Sequence, residues 1–252
     1  MSRDKIIIFD IDGTVVDSPD QKMPSARAIQ IFKKLSGNYV LSAATGRSWT
    51  FAKDVIQSIT KDPSIVSGGT QIRANNGDVL WQRNIEPIAL KTVLNEISVY
   101  EPHSLLFNDY SWSDYLHDKG VSYTDIPEDD IYFLEAIFIP DDEAIILKKS
   151  LDAIDGITCT MVSAQRPHMK DLHITDEFAT KEHAVAELLK ITQIDVDRTI
   201  GIGDGHNDLH LFNAVKTRVA MGDAVDELKA EATTVIDSVS GEGLAKYLEG
   251  LL

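Results

Sequence analysis

Two spacings of apolar residues alternate along the chain. Short runs rich in β-branched residues are followed by stretches whose apolar positions recur at helical intervals. Residues 6–9 form a continuous apolar run, the pattern of a strand buried on both faces. Residues 25–35 place Ala28, Ile31, Phe32 and Leu35 on one helical stripe. Residues 39–43 then predict a second strand, 49–59 a second helix and 65–66 a third strand. The C-terminal part repeats the alternation. Helices are predicted over 180–189, 209–214, 225–231 and 243–251, and strands over 199–202, 218–221 and 235–236. Such alternation at both ends predicts an α/β fold, a doubly wound parallel sheet with helices on both faces.

The middle of the chain follows another rule. Residues 71–82 carry Asn76-Gly77 between two extended stretches, a hairpin signal. A helical stretch over 88–99 follows, then extended pieces at 105–108, 133–139 and 157–162, with a helix over 144–154. This mixture predicts an α+β unit inserted into the α/β domain. The domains read as 1–79 with 176–252 for the core, and 80–175 for the insertion.

Composition narrows the function. Hydrophobic residues make up 43% of the 252 and charged residues 25%, which suits a chain that buries a sizeable core. Acidic residues number 40 against 24 basic ones, a formal net charge of -16. That excludes a general nucleic-acid binder, whose phosphate contacts need a basic surface. A phosphate-bearing substrate would need a local reversal of the field, from a divalent cation and one or two placed basic side chains. Cys159 is the single cysteine; it excludes an intramolecular disulfide and reads as a buried, inert thiol. The N-terminal apolar run is too short for a signal peptide or a membrane span. The expected location is cytoplasmic, with no membrane partner; no pattern specifies an oligomeric state.

Four groups of residues carry chemistry. Asp10-Ile11-Asp12-Gly13-Thr14 follows directly on the first strand, and open α/β sheets bind ligands at the carboxyl ends of strands. Gly13 permits the turn that brings Asp12 back toward Asp10. Two acids this close repel, so one keeps a proton or both share a cation. Taken alone, the same turn also serves as a plain cap on a strand. Gly203-Asp204-Gly205-His206-Asn207-Asp208 follows the 199–202 strand and adds a third acid, Asp204, at the same edge. Oxygen ligands of this kind, with waters, suit Mg²⁺. Asn207 and Asp208 open a helix, either as its cap or as partners of the metal through water. Thr45-Gly46-Arg47 ends the 39–43 strand, where a hydroxyl and N–H groups can hold phosphate oxygens. Arg47 reads equally as a forked anion contact or a surface arginine. Lys181 starts a helix, where its charge opposes the dipole. An aspartate cluster or a phosphate would offset that; a plain surface lysine is the alternative.

Taken together and in this order, the four motifs resemble the haloacid dehalogenase-like hydrolase superfamily. The likeness is closest to its Cof-type branch (class IIB, C2-capped), and Val219-Ala-Met-Gly-Asp223 and Gly241-Glu-Gly243 add to it. The resemblance implies a magnesium-dependent phosphatase that forms an aspartyl-phosphate. The implied substrate is a small phosphorylated metabolite, a sugar phosphate or a phosphoglycolate-like acid. It implies that Asp10 attacks phosphorus, and that Asp12 protonates the leaving oxygen and then activates water. Mg²⁺ would be held by the Asp10 carboxylate, the Asp12 carbonyl and Asp204. Thr45, Gly46, Arg47, Lys181 and Asn207 would serve the phosphoryl group or substrate, with Asp208 positioning Lys181 or metal-bound water. One departure stands out: Ser67-Gly68-Gly69 occupies the place where the branch often has Asn-Gly, so an asparagine side chain is missing. Two other readings remain open, a phosphosugar mutase and a non-hydrolytic phospho-acceptor of the signalling type.

In the insertion, Arg166, His168 and Lys170 read either as contacts for a polar substrate or as a solvated loop. Trp112 and Tyr115 read as ligand-stacking or core aromatics. His206 and His210 read as loop and helix-face residues, because the expected metal prefers oxygen.

Overall fold

The computed structural model describes residues 3–17, 23–100, 104–108, 130–164 and 166–252; Trp112 and Tyr115 lie outside them. The chain begins β1 (Ile6–Phe9), α1 (Ala26–Leu35), β2 (Val40–Ala43), α2 (Trp49–Ile59) and β3 (Ser64–Val66). A tight turn, Ser67–Gly69, leads into β4 (Gln71–Arg73) and β5 (Val79–Gln82). The next elements are α3 (Pro87–Ser98), β6 (Ser104–Phe107), β7 (Leu134–Pro140), α4 (Asp141–Leu151), β8 (Ile157–Ser163) and β9 (Met169–Asp176). The chain closes with α5 (Lys181–Thr192), β10 (Thr199–Gly203), α6 (Asp208–Asn213), β11 (Thr217–Ala220), α7 (Asp226–Glu231), β12 (Thr234–Val235) and α8 (Gly243–Glu249). Two compact units result: Met1–Trp81 with Thr180–Leu252, and Gln82–Ala179.

The first unit is built on a parallel sheet of order β12-β11-β10-β1-β2. β1 is buried at all four positions because its alternate side chains feed two cores. Ile7 and Phe9 pack with Ile31, Phe32, Ile56 and Leu248 from α1, α2 and α8. Ile6 and Ile8 pack with Ala184, Val185 and Leu188 from α5. Helices therefore cover both faces, as the apolar run of β1 predicts. Local signals agree: Ser25 Oγ accepts the Ala28 amide and caps α1, and Lys33 and Lys34 lie in its last turn. From β1 the chain steps to β2 on one side; from β10 it steps to β11 on the other. The order thus reverses between β1 and β10, where open sheets make a ligand crevice. A smaller sheet, β3-β4-β5, continues from β2 through a bridge between Ala44 and Ile65.

The second unit is an antiparallel sheet of order β6-β7-β9-β8. Leu90, Val93 and Ile97 of α3 and Ala144, Leu147 and Leu151 of α4 cover the face bearing Leu134, Ala136, Cys159, Leu172 and Ile174. The fold is thus α/β with an inserted α+β unit. One strand is not among those predicted from the sequence: Lys170 lies in β9, paired with Ser163 and Ile139. Only Leu172 and Ile174 of that strand are apolar and buried, so the alternation was too short to read. Asp176 ends β9 and belongs to this unit. Cys159 is buried, and burial pushes its thiol up to about 12. Among the described residues no helix is long and apolar enough to cross a membrane.

Candidate active site

The strand order brings the chemical residues to one edge. Asp10 leaves β1 and remains hydrogen-bonded through its amide to the Ile202 carbonyl of β10, at 2.9 Å. Lys181, the first residue of α5, is 1% exposed. Its Nζ donates to Asp10 Oδ1 and to Asp208 Oδ1, both at 2.6 Å. The unfavourable start of α5 is thereby explained: two carboxylates offset the charge placed against the helix dipole. Burial alone would lower the Lys181 ammonium, but Asp10 and Asp208 outweigh it and hold it above the ordinary lysine range.

Asp208 is a brace rather than a helix cap. Its Oδ2 accepts the amides of Asp204 and Gly205, at 2.9 and 3.0 Å. Both oxygens of Asp208 are therefore committed, one to Lys181 and one to the loop that carries Asp204. Gly203 makes this possible, since a Cβ there would lie 2.4 Å from the Asp208 carboxyl carbon. Asp204 accepts the Thr14 hydroxyl at 2.8 Å. Gly13 has φ 77°, and a Cβ on it would meet Asp204 Oδ2 at 2.1 Å. The glycine thus serves both the turn and the close approach of a carboxylate.

Carboxylate oxygens of Asp10, Asp204 and Asp208 lie within 4.8 Å of one another. Burial pushes Asp10 up to about 7; Lys181 opposes this, and Asp208 and Asp204 add to it. Burial also pushes Asp204 up to about 6, against the Thr14 hydroxyl and with help from Asp208. The cluster carries more acid than its one lysine neutralises. The donor set fits a hard divalent cation: the carboxylates of Asp10 and Asp204 lie together, and the Asp12 carbonyl, two residues on from Asp10, accepts no hydrogen bond among the described residues. Asp10 Oδ2 likewise takes no hydrogen bond there, while Oδ1 is fixed by Lys181.

The second part of the site is looser. Arg47 Nε and Nη2 fork onto Asp12 Oδ2 and Oδ1 at 2.9 and 2.5 Å. This pair raises the guanidinium further above its usual range, against burial. The Thr45 side chain is buried, and its Oγ1 accepts the Arg47 amide at 3.1 Å. Gly46 is exposed, with open space where a Cβ would stand. Asn207 is exposed at the start of α6 and makes no capping bond. His206 and His210 lie outside the acidic cluster, 3.6 Å from Glu227 and 3.8 Å from Glu182. In the inserted unit, the Arg166 guanidinium lies 4.0 Å above the Phe138 ring. Lys170 is 3.9 Å from Asp141, and the His168 side chain is 94% exposed. Sequence reasoning gave no separate role to Thr14, whose hydroxyl holds Asp204. Its only signal was its place in the Asp-x-Asp-Gly-Thr run.

Comparison with known proteins agrees with this arrangement. The family model for haloacid dehalogenase-like hydrolases matches residues 7–248. YkrA of Bacillus subtilis (strain 168) is 27% identical over 262 residues, covering 98% of this chain and 97% of YkrA. A phosphoglycolate phosphatase of Sulfurisphaera tokodaii is 24% identical, covering 98% of this chain and 94% of that protein. The fold is shared with BT4131, a subclass IIB sugar phosphatase, at a TM-score of 0.72 and 20% identity, over 98% of each chain. A match that spans nearly the whole chain, on a fold whose strand ends gather Asp10, Lys181, Asp204 and Asp208, places the protein among the haloacid dehalogenase-like hydrolases, in their Cof-type branch, as an enzyme of the phosphatase class.

Proposed function

We propose that the protein is a Mg²⁺-dependent phosphatase that releases phosphate from a small phosphorylated metabolite through an aspartyl-phosphate on Asp10. The observation that carries this reading is the buried Lys181 held between Asp10 and Asp208. A lysine that fixes Oδ1 of a carboxylate orients Oδ2 outward, as a nucleophile needs. Asp10 Oδ2 bonds to phosphorus while the ester P–O bond breaks and the leaving oxygen takes a proton from Asp12. Asp12 then accepts a proton from water as that water attacks the phosphorus, and phosphate and the Asp10 carboxylate are regenerated. Asp12 needs release from the Arg47 fork to carry a proton, and the substrate anion competes for Arg47. Thr45, Gly46, Lys181 and Asn207 meet the phosphoryl group or the rest of the substrate, and Asp208 keeps Lys181 and the Asp204 loop in place. Asp10, Asp204 and the Asp12 carbonyl would hold Mg²⁺, which when bound offsets the carboxylates and the charge that develops on the phosphoryl oxygens.

By its place in the chain between Thr45-Gly46-Arg47 and Lys181, the inserted unit answers to the cap of the Cof-type branch. Support for the substrate class comes from relatives named for phosphoglycolate and sugar phosphates. The net charge of -16 leaves local cations to attract the anion. The test is a panel of phosphorylated metabolites with free phosphate as readout. Turnover is expected with Mg²⁺, abolished by EDTA and restored by added Mg²⁺. Asp10→Asn should lose about 10⁴-fold or more in kcat with an unchanged melting profile. Persistent turnover in that variant would remove the nucleophile assignment.

A further inference from the structure

The Ser67–Gly69 turn, where the sequence departs from its branch, has a backbone task. Ser67, Gly68 and Gly69 all have left-handed φ, at 51°, 71° and 113°. Ser67 is a buried non-glycine residue in that region, a conformation that persists only where surroundings impose it. The turn grips the Thr45–Arg47 loop by its amides: Ser67 N donates to Arg47 O at 2.8 Å, and Gly68 N to Thr45 O at 3.1 Å. Its far end lies against the start of α5. A Cβ on Gly69 would stand 2.4 Å from the Thr180 carbonyl carbon, 2.6 Å from its oxygen and 2.7 Å from the Lys181 amide nitrogen. All three are backbone atoms, so no side chain can turn aside to make room. At Gly68, by contrast, nothing lies within 4 Å of a Cβ.

We propose that Gly69 is a positioning residue that sets Lys181 against Asp10, and that the turn spaces the lysine from the Thr45–Arg47 loop. This rests on the phosphatase reading above for its chemical meaning. The mechanical part is independent of it. Lys181 is the first residue of α5, so any shift of the Thr180–Lys181 backbone moves its ammonium away from two 2.6 Å contacts. A misplacement of about 1 Å at such a contact costs about 100-fold in rate.

The test compares Gly69→Ala with Gly156→Ala. Gly156 also has a left-handed φ, at 85°, but open space around its Cβ and a place in the other unit. Gly156→Ala therefore measures conformational strain alone. Two readouts are taken on Mg²⁺-loaded protein: hydrolysis of an aryl phosphate, and calorimetric binding of inorganic phosphate. Gly69→Ala is expected to lower kcat by about 10-fold or more, and to weaken phosphate binding, while Gly156→Ala changes neither. In a Lys181→Met background, Gly69→Ala should weaken phosphate binding no further, because both changes remove one interaction. Equal losses in the two backgrounds, or wild-type behaviour of folded Gly69→Ala, would overturn the proposal. Should Gly69→Ala not fold, Ser67→Gly, which relieves the left-handed φ and loosens the turn from its other end, should still weaken phosphate binding; unchanged binding would overturn the idea. If the wild type neither binds nor releases phosphate, the functional reading fails. A crystal structure of Gly69→Ala then decides the mechanical claim: Lys181 Nζ displaced from Asp10 supports it, and an unmoved Nζ refutes it.

Discussion

Two ion-paired groups belong to this site, and they are built differently. Lys181 sits between Asp10 and Asp208 with side chains 1%, 7% and 0% exposed. Arg47 grips Asp12 with side chains 13% and 29% exposed. A buried pair is held by the fold, and breaking it leaves a charge without water or partner. A pair partly open to water is weaker and can exchange its partner for solvent or an anion. The site therefore has a fixed half, which carries the carboxylate proposed to attack, and a movable half, which carries the one proposed to shuttle protons. Nucleophilic attack needs one geometry; acid–base work needs a group that gains and loses a proton in each cycle.

The comparison can be broken at several points. The largest effect is expected from Lys181→Met, which strands Asp10 and Asp208 in the interior. It should cost about 3–5 kcal/mol of stability, read from denaturant unfolding, and leave no measurable turnover. A variant as stable as wild type would show that the fixed half is not held by this lysine. Asp12→Ala should lower kcat by about 10²–10⁴-fold yet change stability by only about 0–1 kcal/mol. Rates near wild type would take the proton role from Asp12. The smallest effect is expected from Arg47→Ala, with stability again within about 1 kcal/mol. KM should rise by about 10-fold, with kcat changed less. A loss confined to kcat would mean that Arg47 acts on the transition state and is no movable anchor.

Much of the first unit was legible because strand ends carry its chemistry. The run at β1, the stripe of α1 and the strand before Asp204 each follow a single period. Asp10, after β1, and Asp204, after β10, are among the residues that meet at the strand-order reversal. The identity of Lys181's partners was partly legible too, since a lysine at a helix start demands an offsetting charge. Asp208 was harder. Its type and place fit a cap, a metal partner and a brace alike; only the amides of Asp204 and Gly205 distinguish them. The inserted unit was less readable. β9 alternates polar and apolar residues over too few positions, and Phe138 interrupts β7 with a left-handed φ and an amide that donates a hydrogen bond to Asp171 Oδ1. Gly69 shows a third limit. A missing asparagine can be seen in the sequence, whereas a close approach between backbones 111 and more positions apart in the chain cannot.

The contact between Asp10 and Lys181 joins residues 171 positions apart. That distance has a temporal meaning while the chain is being made. β1 and its aspartate emerge before β10, with one side of the strand waiting for its partner. Until residues 199–208 have left the ribosome, neither the strand that completes the edge nor the aspartate that shares the lysine exists. Any truncation before Asp208 should accumulate a chain with an open strand edge, a species prone to associate with its own kind rather than to act on a substrate.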